Sequence, residues 1–124
     1  YTTLFRSNSS RKMIEAVFRF DRHGAIPEVI ISGHGGVSLN GLNAEKGNDI
    51  LCAGVSVLVQ GILIGLKYAA DSSAVIIKKE NGYLHFTVKD AGIEKNDVLL
   101  KTLYYALKEL KKQYPENLKI EELR

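Results

Sequence analysis

Apolar and polar residues alternate through MIEAVFRF, residues 13–20, with Ile14, Ala16, Phe18 and Phe20 on one side and Glu15, Val17 and Arg19 on the other. A period of two predicts a strand with one face buried. DRHG, 21–24, supplies turn residues, and IPEVIISG, 26–33, reads as a second strand, so the pair predicts a hairpin. Residues 35–48 read as a long loop, with Gly at 35, 36, 41 and 47 and Asn at 40, 43 and 48. The apolar run ILCAGVSVLVQGILIGL, 50–66, follows directly on Asp49. Asp49 suits a helix N-cap, and the helix should continue to about Ala70. Being apolar nearly all round, it is expected to be buried on most sides.

SAVIIKKE and YLHFTVKD flank Asn81-Gly82, the strongest short-range hairpin signal in the chain. From about Glu94 to Tyr114 the apolar positions 99, 100, 103, 106, 107 and 110 follow a helical period. Lys108, Lys111 and Lys112 suit the negative helix end, and Pro115 stops the helix. NLKIEEL reads as a short last strand. The predicted order is β-β-α-β-β-α-(β), an α/β chain of the α+β type. A small mixed or antiparallel sheet should pack with two helices, the first largely buried.

A chain of 124 residues makes one domain. A single cysteine excludes an internal disulfide and suits a reducing cytoplasm. The net charge of +3 resides in residues 1–12, which carry Arg6, Arg11 and Lys12 and no acid. That stretch has no clear period and precedes the only methionine, Met13, so it reads as a non-native or disordered tail before a domain at 13–124. A neutral body gives no reason to expect direct nucleic-acid binding. The apolar run is at the short limit for a bilayer span and holds Ser56 and Gln60, so a buried helix is expected and no membrane.

The candidate chemistry centres on Cys52. With Asp49 as N-cap it lies in the first helical turn, among amides that lack intrahelical acceptors. The positive helix end favours thiolate over thiol by about 0.3–1 kcal/mol, which makes the sulfur a better nucleophile. Ser56 lies one turn deeper on the same side and can hydrogen-bond to the sulfur or to a substrate oxygen; bonding to its own helix backbone is the bland alternative. Of the three histidines, His34 ends a strand and opens the glycine loop that leads to Cys52. Flanking glycines let its backbone bend toward the thiol, while an inert buried cysteine is the opposing reading. His23 reads as solvated in a turn, and His85 as lying on the polar face of a strand. No spacing of Cys, His or acids indicates a metal, and the glycines form no P-loop, so no cofactor is expected.

MIEAVFRF, ISGHGG, GNDILCAGVSVLVQG and YYALKELKKQYPENLKI resemble the bacterial ribosomal-processing cysteine protease family (Prp), across residues 13–124. The core of the resemblance is Gly-His, a loop, and Asp-Ile-x-Cys-Ala-x-x-Ser. It implies a cytoplasmic homodimeric endopeptidase with a Cys–His dyad. Such an enzyme removes the N-terminal extension of large-subunit ribosomal protein number twenty-seven, cutting beside aromatic residues. Carried over by motif, Cys52 is the nucleophile, His34 the general base, and Asp49 and Ser56 supporting residues. Gly33, Gly35, Gly36 and Gly47 fall to substrate binding and a flap. The loop is longer than usual around SLNGLNAEKG, and Gly35 and Gly54 stand where alanine is common. A non-catalytic ribosome-associated module that binds a peptide in the same groove is the alternative.

Overall fold

The computed structural model describes residues 13–33, 50–70 and 74–124. Its strands are β1 (Ile14–Arg19), β2 (Glu28–Gly33), β3 (Ala74–Glu80), β4 (Tyr83–Val88) and β5 (Leu118–Leu123). Its helices are α1 (Ile50–Ile64), which runs on through a π-helical turn at Gly65–Ala69, and α2 (Glu94–Gln113). Both expected hairpins form. β1 pairs antiparallel with β2, Ile14 opposite Gly33 and Arg19 opposite Glu28, and β3 pairs antiparallel with β4. The tight Asn81-Gly82 turn requires a positive φ, and Gly82 takes φ +74° without a Cβ to obstruct it.

The strand order is β3-β4-β2-β1-β5. β2 pairs antiparallel with β4, whereas β5 lies parallel to β1, so the sheet is mixed. A parallel neighbour needs a crossover connection rather than a hairpin, and α2 provides it between β4 and β5.

The alternation read from the sequence selects the buried face. Ile14, Ala16 and Phe18 of β1, Val29 and Ile31 of β2, Leu84, Phe86 and Val88 of β4 and Leu118 of β5 join one core. Leu51, Val55, Val59 and Ile62 of α1, with Leu100, Leu103 and Leu107 of α2, complete it. Apart from Ala16, each such side chain contributes roughly 1.5–3 kcal/mol by leaving water. The helices touch closely at Gly65, where a Cβ would lie 3.2 Å from a methyl of Leu99. Tyr104 of α2 stacks edge-on against Phe18 and Phe20 and donates to Glu122 of β5 at 2.7 Å.

α1 departs from expectation. Only the side toward the core is covered, and Val57, Ile64 and Tyr68 remain 53%, 58% and 74% exposed, with Gly54 and Gly61 exposed as well. In a two-layer fold a helix buries the side that meets the sheet and its neighbouring helix, whatever the composition of its other side. The segment Ile50–Ala69 is long and apolar enough to cross a membrane, and its covered side is part of the core described above.

Candidate active site

Cys52 is the third residue of α1. Leu51, Val55, Val59 and Ile62 direct this side of the helix into the core, and helical spacing carries Cys52 and Ser56 inward with them. Both are fully buried. The first-turn amides of α1 have no acceptor within the helix and form the positive end of its dipole, so the sulfur sits where negative charge is favoured. Ser56 lies one turn further along the same side, and its carbonyl accepts from Gln60 Nε2 at 3.2 Å.

β2 ends at Gly33, which is buried. Gly33 is thus the last rung of a strand in the structure. Its N–H donates to the carbonyl of Gly82 at 2.9 Å. His34, Asp49, Gly35, Gly36 and Gly47 lie outside the described residues.

The other two histidines are accounted for. His23 is exposed in the β1–β2 turn, beside Arg22. His85 lies on β4 between the buried Leu84 and Phe86, and therefore projects from the opposite face of the sheet. There its Nε2 meets Glu28 Oε2 at 2.6 Å, while Arg19 Nε donates to Glu28 Oε1 at 2.8 Å. The Arg19 hydrogen bond, followed by that with His85, holds the Glu28 carboxyl below the usual carboxylate range. This three-strand ion cluster was not anticipated from the sequence. Alternation put Arg19 outward, but Glu28 could join it only once the hairpin register was known. Among the described residues, no group of three or more His, Cys, Asp or Glu could hold a metal ion.

The exposed side of α1 meets β3 across a shallow groove of about 640 Å³, lined chiefly by Leu63, Ile64, Tyr68, Ala74 and Ile76 with Lys67 and Lys79 at its margins. β3 is an edge strand, and Val75, Ile76 and Ile77 are all exposed.

The family model described as "Cysteine protease Prp" matches residues 13–119. The ribosomal processing cysteine protease Prp of Staphylococcus aureus (strain NCTC 8325 / PS 47) is 25% identical over 111 residues, which span 87% of this chain and 97% of that protein. Its namesake from Bacillus subtilis (strain 168) is 25% identical over 113 residues, 87% of this chain and 96% of the relative. Among solved structures, the essential ribosomal processing protease Prp from S. aureus, in complex with a covalently linked product peptide, superposes with a TM-score of 0.78. It is 24% identical, and the match covers 89% of this chain and 99% of that one. The same protease with a substrate peptide gives a TM-score of 0.73 at 21% identity, again over 89% and 99% of the two chains.

Proposed function

The chain belongs to the cysteine protease Prp family and is a cysteine peptidase; we propose that Cys52 is its nucleophile and His34 its general base. The observation that carries this assignment is the placement of the histidines. The chain has three. His85 is held by Glu28 on the sheet face turned away from the core that contains Cys52, and His23 is exposed in a turn. His34 follows directly on the buried end of β2.

In the proposed reaction His34 takes the thiol proton, and the sulfur attacks the scissile carbonyl carbon. The carbonyl π electrons move to oxygen, giving a tetrahedral oxyanion. Amides of the first turn of α1 stabilise that charge, a kind of contribution worth about 3 kcal/mol. Collapse breaks the C–N bond, and His34 returns its proton to the leaving amine. Water, deprotonated by His34, then cleaves the thioester and restores the thiol. Asp49 caps the helix and orients the imidazole, and Ser56 hydrogen-bonds to the sulfur or to a substrate oxygen. Gly35, Gly36 and Gly47 contact the peptide. Cys52 is fully buried, so turnover also requires a displacement that uncovers the sulfur.

The substrate in this reading is the N-terminal extension of large-subunit ribosomal protein number twenty-seven, cut beside an aromatic residue in the cytoplasm. Two observations support it: the relatives are named ribosomal processing proteases, and the S. aureus structures carry a product and a substrate peptide. The enzyme acts as a homodimer, a reading supported by the apolar stripe left exposed along α1.

The test is cleavage of a synthetic extension peptide by Cys52→Ala and His34→Ala. Each should lower turnover by about 10³-fold or more. Near-normal turnover in either variant removes the dyad.

A further inference from the structure

We propose that Lys78 and Lys79 guard the free edge of the sheet, keeping β3 from stacking on β3 of a second copy of this chain.

β3 ends the strand order, so one row of its backbone N–H and C=O groups faces no partner strand among the described residues. Such a row is a template for another strand. Val75, Ile76 and Ile77 follow one another along it and are 52%, 43% and 55% exposed. All three are β-branched, and with Ala74 they form an uncharged apolar run of high strand propensity. The opposite edge differs, because β5 interrupts its apolar residues with Lys119, Glu121 and Glu122. Of the two edges, β3 is therefore the one open to pairing through an apolar run.

Two features oppose that pairing. The β3–β4 ladder slips between Ile76 and Lys78, and Ile77 has no partner on β4. A bulge of this kind twists the strand and disturbs the even spacing that an incoming strand must match. The antiparallel register that sets the apolar run against itself is centred on Ile76 and places Val75 against Ile77, the residue the bulge displaces. The lysines come next. Lys78 stands opposite His85 and Lys79 opposite Leu84, so one projects from the open face of the sheet and the other from the face that carries the helices. Lys78 Nζ lies 3.0 Å from a Glu80 carboxylate oxygen and 5.3 Å from the centre of the Tyr83 ring. Lys79 is exposed at the margin of the groove beside α1 and has no ion pair among the described residues. When copies of β3 stack in parallel register, each lysine meets its own image about 4.8 Å away, on both faces at once. Like charges set opposite one another in a sheet oppose pairing.

The experiment uses the full chain with Lys78→Thr and Lys79→Thr together, which keeps strand propensity and removes both charges. Sedimentation velocity over a concentration series should show assemblies larger than the parent's, with self-association strengthened by roughly tenfold. These assemblies should bind thioflavin T, while the far-ultraviolet spectrum of the soluble fraction stays that of the parent. Lys78→Glu with Lys79→Glu restores like charge on both faces and should sediment as the parent does. Adding Val75→Lys to the threonine pair breaks the apolar run and should return the parent's distribution.

Three outcomes overturn the proposal: parent-like sedimentation of the threonine pair, assembly of the glutamate pair to the same extent, or assembly together with a changed spectrum in the soluble fraction, which marks misfolding rather than edge pairing. Should the threonine pair not fold, Lys79→Thr decides alone, and parent-like sedimentation of that variant counts against the proposal.

Discussion

Glu28 lies at one end of the β1–β2 hairpin, opposite Arg19, and reaches across β2 to His85 on β4. Arg19, and after it His85, makes its carboxyl more acidic in the folded chain than in the unfolded one. The stabilisation is therefore complete above the unfolded value of about 4.3 and is lost as pH falls through the lower folded value. Glu28→Gln should cost about 1 kcal/mol at pH 6, and the difference from the parent should shrink as the pH falls below the usual carboxylate range. Urea midpoints measured from pH 6 downward check this, and a constant difference would show that the charge is not responsible. None of this was visible one residue at a time. Alternation assigned Arg19 and His85 to outward faces, but an ion pair also needs the register that sets side chains opposite one another. Cys52 shows the reverse. Its place in a first helical turn was legible because capping and helical period are local, whereas its complete burial followed only from the packing of α1.

At the scale of elements, α1 shows what helical composition can and cannot announce. Its inward side, from Leu51 through Val55 and Val59 to Ile62, was legible as apolar, but so was its outward side. Nothing in a uniformly apolar stretch marks which half will meet the sheet. The uncovered stripe through Gly54, Val57, Gly61 and Ile64 is where the proposed homodimer would form. Val57→Glu should then convert the dimer to monomer in sedimentation velocity while leaving the far-ultraviolet spectrum unchanged, since the side chain points away from the core. Gly61 adds a second check, because a Cβ there meets nothing within 4 Å in the single chain. If no partner covers the face, Gly61→Ala should stabilise the protein by about 0.5–1 kcal/mol through the helix propensity of alanine. A close helix partner would turn that gain into a loss.

For the whole molecule, the single core couples elements that are remote in the chain. Phe86 on β4 is fully buried in the same core as residues of α1 and α2. Phe86→Ala should cost about 3–5 kcal/mol and lower the melting temperature of the entire domain in one transition, followed by calorimetry. By itself the sequence determined which segments are strands and helices, where the Asn-Gly hairpin turns, and that one cysteine stands at a helix start. Periods of two and 3.6 residues, capping and turn chemistry all act over a few neighbours. Only the tertiary structure decided the β3-β4-β2-β1-β5 order, the parallel placement of β5, the side of α1 that is covered, and the squeeze on Gly33 between Met13 and Gly82. Each of these depends on surfaces far apart in the chain coming together, and a local pattern carries no record of which surface it will meet.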